Sequence, residues 1–173
     1  QKLGLIAFEP ETDGALVTEL LAILQLVETD MTIFFRKLAL INTGINTEID
    51  VGLEDLVAPL MVAYYQPEQL TRAHKVRIGG WIRSYQERVQ KDGRPDDERR
   101  QQMNAVNPKY VLRNYLAQLA IDKAEQGDHS LVNELLEVLR YPYDEQPGNE
   151  TFAEKRPDWA RERAGCSMLS CSS

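Results

Sequence analysis

The chain has 173 residues, 43% of them hydrophobic and 27% charged, with a net charge of −7 from 20 Lys and Arg against 27 Asp and Glu. That length fits one domain or two small ones and suffices to bury roughly 70% of the surface an unfolded chain exposes. The acidic balance excludes nucleic acid as the main partner, because phosphate binding needs a broad basic surface, and no apolar run approaches the ~20 residues that cross a bilayer.

Taken in chain order, the punctuation is helical. The opening QKLGLIAF has one Lys and no long apolar stretch, so it is not a signal peptide. A start at Gln1 rather than Met raises the expectation of a piece cut from something longer. Asp13 is placed to cap a helix in which Leu16, Leu20, Ile23, Leu24 and Val27 recur at helical spacing. Asp30 is placed to cap the short apolar segment 31–41, and the Asn-, Thr- and Gly-rich stretch 42–52 reads as a loop. Pro59 interrupts 53–65, which predicts two short helices or one kinked helix. The longest helix is predicted from Pro67 to just before Gly93, with Ile78, Trp81, Ile82, Tyr85 and Val89 on one core-facing side. Pro95 opens another helix, whose first turn carries Asp96, Asp97 and Glu98 where the helix dipole favours them. A further helix is predicted from Asn107-Pro108 to Gly127, and a last one, capped by Asp128 or Ser130, up to Pro142. From Tyr141 the pattern weakens, with one short helix around Trp159. No strand alternation is convincing. The expected fold is all-α: antiparallel, bundle-like helices over 1–140 and an irregular tail over 141–173.

The tail, AGCSMLSCSS, holds both cysteines, Cys166 and Cys171. Two cysteines make no disulfide framework, and reduced thiols are the default. Extended, their Cα atoms stand about 17 Å apart where a bridge needs roughly 6 Å, so they pair only if the tail turns. A long-range partner for Cys171 is equally allowed. His74 and His129 are too far apart in sequence to join them in a zinc site of the usual spacing, and no metal site is expected. The cysteine before the end is Cys171, and a prenylation box would need it at position 170, which is Ser. The sequon at Asn149 matters only in a secretory protein and is read as coincidental.

Residues 71–94 carry seven cations against Glu87 and Asp92. The plainer reading is a solvated helix face with cations toward its C-terminal end. The functional reading is a surface for an anion or an acidic neighbouring domain, led by Arg72, Lys75 and Arg77. Gly79-Gly80 within that helix disfavours it by about 1 kcal/mol per Gly relative to Ala, which suggests close approach of another element. Phosphoryl or nucleotidyl chemistry wants a Gly-rich loop, a nucleotide Lys and metal-binding carboxylates. No such motif occurs, and no catalytic residue is nominated.

The stretch MNAVNPKYVLRNYLAQLAIDKAEQGD (103–128) resembles the C-terminal signature of the selenoprotein O family, the pseudokinase-fold protein adenylyltransferases. RYPYDEQPGNE (140–150), the PDW at 157–159 and the final SCSS are similar as well, and so are KLGL and IFFRKLAL (33–40). The resemblance implies an enzyme that uses ATP and Mg2+ to transfer AMP to Ser, Thr or Tyr hydroxyls of protein substrates, with its nucleotide and metal residues in a kinase-like core upstream of this chain. It implies a bacterial cytoplasmic location, or a mitochondrial one in a eukaryote. It also implies that Cys171 occupies the site of the selenocysteine of vertebrate relatives and of a cysteine in bacterial ones, which pairs with a thiol in the activation loop. Ser170 stands where vertebrates have a cysteine, so a vicinal pair is excluded, and Cys166 is the weaker redox candidate.

The expectation is therefore the C-terminal helical region of such an enzyme, supporting its kinase-like core, carrying Cys171, and inactive alone with no cofactor bound. The competing readings are a helical interaction module that recruits protein substrates and a freestanding helical protein.

Overall fold

The computed structural model describes residues 1–44, 52–163 and 165–166. Among them are seven α-helices and no strand: α1 (Pro10–Leu24), α2 (Met31–Leu38), α3 (Leu53–Met61), α4 (Arg72–Gln90), α5 (Asp96–Asn104), α6 (Asn114–Glu125) and α7 (Ser130–Arg140). The all-α expectation holds, a lone antiparallel bridge between Thr29 and Tyr64 aside. None of the described helices is long and apolar enough to cross a membrane. The chain divides into two compact units, 1–107 and 108–173.

The first unit is organised by α4. Ile78, Trp81, Ile82, Tyr85 and Val89 are all buried, as their spacing predicts. Trp81 stacks on Tyr85 with ring centroids 5.4 Å apart, and its Nε1 donates to the Leu16 carbonyl of α1 at 2.9 Å. α3 packs on one side of α4 and α1 on another. The helix starts later than predicted. Pro67–Gln69 forms only a 3-10 turn, Leu70 is extended, and the Thr71 side chain accepts from the His74 N–H to cap α4. Two start signals compete here, and the one with a side-chain acceptor for an orphan N–H sets the boundary.

Asp30 caps α2 as expected, accepting from the Ile33 N–H at 3.0 Å. Pro59 lies inside a single α3, which ends two residues later. Asp13, by contrast, is not a cap. α1 begins at Pro10, which takes the first-turn position where a missing N–H does no harm. Asp13 sits within the first turn, buried, and accepts from the Glu9 N–H at 2.9 Å.

In the second unit the largest departure concerns residues 108–113, which are not helical. The Lys109 and Tyr110 N–H groups both donate to the Pro142 carbonyl, at 2.7 and 3.0 Å, and the Tyr110 hydroxyl reaches the Gln146 carbonyl at 3.3 Å. Cross-chain bonding thus takes the donors before a helix can form, and α6 waits until Asn114. α6 and α7 pack as a hairpin joined through Gly127, whose φ of +84° suits glycine. Tyr115, Leu116, Ala120 and Leu135 bury against Ala160 and Cys166, so the irregular stretch after residue 140 shares the core of the hairpin. The 140/141 division read from the sequence falls inside this unit.

The two glycines of α4 separate cleanly. A Cβ on Gly79 would stand 2.6 Å from Leu53 Cδ1 of α3, whereas one on Gly80 would meet nothing within 4 Å. Alanine in a helix interior gains about 1 kcal/mol over glycine. Gly80→Ala should therefore raise the stability of the first unit by up to about 1 kcal/mol. Gly79→Ala should lose most or all of that gain, because Leu53 must move. Urea unfolding followed by Trp81 fluorescence in a Trp159→Phe background reads the difference.

Candidate functional site

The cations of α4 point to two different neighbours. Lys75 Nζ lies 2.7 Å from Glu54 Oε2 on α3. Arg77 holds Glu19 of α1 through two parallel bonds of 2.5 and 2.9 Å. That pairing holds the exposed Glu19 carboxyl below its ordinary range. Arg72 is exposed and, with Lys75, borders a hollow of about 440 Å³ beside the start of α3. Arg72 and Lys75 thus face α3 while Arg77 faces α1, and the three form no single cluster. The sequence shows the sign of this helix's charge, but not the carboxylates on α1 and α3 that engage it.

A tighter knot lies at the far end of α4. Arg88 Nε bonds Asp13 Oδ1 at 2.6 Å, its Nη1 bonds Asp92 Oδ1 at 2.9 Å, and its Nη2 donates to the Ala7 carbonyl at 2.9 Å. The Asp13 side chain is 1% exposed and that of Arg88 12%. The bond from Arg88 holds the Asp13 carboxyl below the usual carboxylate range, against the upward push of its burial. Between this knot and the Arg77–Glu19 pair, α1 and α4 enclose an open groove of about 590 Å³ with Ala15, Leu16, Gly80 and Trp81 among its lining.

Sequence reasoning missed the largest fully buried side chain among the described residues, Arg99 of α5, which is 0% exposed. Its Nη2 donates to the carbonyls of Ala39 and Ile41 at 3.3 and 2.6 Å, its Nη1 to the Tyr85 hydroxyl at 3.0 Å, and its Nε to Asp96 Oδ1 at 3.0 Å. Asp96 in turn accepts from the Thr43 N–H and hydroxyl at 2.9 and 2.8 Å. Burial pushes the Asp96 carboxyl up, but the Thr43 and Arg99 bonds outweigh it and leave it lowered. Gln86 and Gln90 hold the carbonyls of Asn42 and Thr43. The loop read from the sequence at 42–52 is thus pinned over its first residues, while 45–51 lie outside the described residues. A signal did exist: α5 offers Met103 as its sole apolar side chain, so something polar had to fill the core beside it.

Cys166 is buried at 3% exposure, in the core of the second unit, rather than lying free in a tail. The turn before it uses Gly165 at φ +83°, with the Gln118 side chain closed against it. Cys171 lies outside the described residues. His74 and His129 belong to different units. Among the described residues, no group of three or more His, Cys, Asp or Glu side chains is placed to hold a metal ion.

Comparison with known proteins bears on all of this. The family described as protein adenylyltransferase SelO matches residues 1–140. A protein nucleotidyltransferase YdiU of Rhodopirellula baltica is 59% identical over 176 residues, which cover 99% of this chain and 33% of that protein. The proteins of the same name from Aromatoleum aromaticum and Methylobacillus flagellatus are 53% and 49% identical over 172 residues, each covered over 31% of its length. The chain therefore spans about a third of the length of the curated relatives it matches, at their C-terminal part.

The lowered Asp13 and Asp96 carboxyls fix a pH dependence. Their folded forms release protons more readily than the unfolded chain, so their stabilisation is complete above about pH 4 and is lost as pH falls through the folded values. The first unit should weaken steeply below about pH 4. Asp13→Asn should destabilise it by about 1–3 kcal/mol at neutral pH, because Arg88 loses its buried carboxylate while keeping Asp92, and should flatten the acid limb. Urea midpoints between pH 3 and 7 measure both effects.

Proposed function

Because this chain belongs to the SelO family of protein adenylyltransferases, we propose that it is the helical C-terminal region of such an enzyme, supporting a kinase-like core and carrying a redox thiol at Cys171. The observation that carries the reading is the family match over 1–140, combined with relatives about two-thirds of whose length lies outside the matched region. In this reading the whole protein transfers AMP from ATP to Ser, Thr or Tyr hydroxyls of proteins, with Mg2+ as its metal. The groups that bind ATP and metal belong to the part preceding this region. The relatives named are bacterial, and the proposed location is the cytoplasm.

The geometry supports a defined reach for the thiol. Cys166 is fixed in the second unit's core, and Cys171 follows five residues later. Five extended residues span at most about 17 Å, and a disulfide adds about 6 Å between Cα atoms. A partner cysteine must then come within about 23 Å of Cys166, and in this reading it belongs to the preceding part. Cys166, buried in that core, is shielded from thiol exchange.

Recruitment of protein substrates through Arg72, Lys75 and Arg77 is the competing reading. The pairing of Lys75 with Glu54 and of Arg77 with Glu19 supports a structural use for two of those cations instead.

In the full-length enzyme, Cys171→Ser should abolish the reductant dependence of AMP transfer, while Cys166→Ser should leave that dependence intact and lower the stability of the second unit. Equal effects of both, or none from either, count against the assignment. The purified 173 residues alone should show no ATP turnover, and measurable turnover would overturn the reading of a supporting region.

A further inference from the structure

Residues 2–9 form a strap whose path is set by bonds along its length. Asn107 Nδ2 and the Tyr85 hydroxyl donate to the carbonyls of Lys2 and Leu3 at 3.0 and 2.9 Å. The Ile6 N–H donates to Asp92 Oδ2 at 2.9 Å, and the Ala7 carbonyl receives Arg88. Gly4 sits at φ +71° against Arg99 and Met103, where a Cβ would stand 2.8 Å from Arg99 Cγ. Held this way, the strap turns Leu5 into the core and leaves Ile6 and Phe8 61% and 54% exposed. A loose terminus could tuck such side chains away; this one cannot.

The same residues that hold the strap, Asp13 and Arg88, also form one end of the α1–α4 groove, so the strap that carries the exposed pair is anchored at the groove's end. Along the groove, Gly80 is a helix-interior glycine that no conformation or neighbour requires. Arg77 with Glu19 and Arg88 with Asp13 pair across the rim, beside the exposed Glu87 and Lys91.

We propose that this surface, Ile6 and Phe8 together with the α1–α4 groove, is the seat on which the preceding part of the same polypeptide docks. The inference rests on the functional reading above, in which that part exists. In the relatives about two-thirds of the chain lies outside the matched C-terminal part. Whatever joins at Gln1 is tethered within about 25 Å of Phe8, and such a tether makes docking intramolecular, at millimolar effective concentration. The exposed Val132 and Leu136 of α7 are far along the chain from that junction and have no comparable claim.

The test uses a full-length family polypeptide carrying this region, with hydroxyl-radical footprinting read by mass spectrometry. Ile6 and Phe8 should oxidise at least tenfold more slowly than half-exposed side chains do. Gly80→Arg, which fills the groove, should raise their oxidation at least fivefold and sensitise the junction before Gln1 to protease, with helical circular dichroism unchanged. Ser84→Arg, on the exposed lip of the same groove, serves if Gly80→Arg fails to fold. Oxidation of Ile6 and Phe8 at the half-exposed rate overturns the proposal. Protection that disappears on dilution, together with a dimeric mass, also overturns it by assigning the surface to a second copy. None of these readouts depends on AMP transfer or on Cys171, so docking can hold where the redox assignment fails, and the reverse.

Discussion

A guanidinium with no access to water must have its donors matched, and in the first unit Arg99 imposes that condition on everything around it. Its bonds reach the end of α2 through Ala39 and Ile41, α4 through Tyr85, and its own helix through Asp96. The Tyr85 hydroxyl passes the constraint on by donating to Leu3, while burial pushes its ionisation up to about 12 and keeps it a donor. Strap, loop and three helices thus meet at one side chain. Replacing it by an apolar residue of similar length would leave two backbone carbonyls unpaired in the core.

The parts of the fold legible in the sequence are those that a single helix determines. The buried face of α4 follows from 3.6-residue periodicity, and the Asp30 cap follows from a local side chain meeting a local N–H. What was not legible depends on partners distant in the chain. Asp13 looks like a cap because a carboxylate at a helix start usually is one, yet Arg88, 75 residues away, draws it into the core. Residues 108–113 have a helical composition, but the Pro142 carbonyl takes two of their donors. Arg99 stands in a run of charged residues; the lone Met103 signals that a polar side chain must be buried beside it, but nothing local says which one.

The candidate site follows the same division. Its cationic sign was readable over 71–94, while the split of Lys75 toward α3 and Arg77 toward α1 was not, because it depends on how the helices pack. Cys166 follows an irregular stretch that gives no periodic hint of burial, and only the joint packing of Ala160 and Tyr115 around it reveals a core position. The family, in contrast, was legible from one unusual stretch. Family membership and site geometry are carried by different features of the chain.

The double bond of Lys109 and Tyr110 to the Pro142 carbonyl has a topological result. It joins the residues just before α6 to those just after α7, so the helical hairpin is closed into a ring by hydrogen bonds at its base. Lys109 reinforces the closure through Glu145 at 2.6 Å. A protease that nicked the exposed Gly127-Asp128 turn would open that ring at its tip, yet the bonds at the base would still clasp the two fragments as a non-covalent pair.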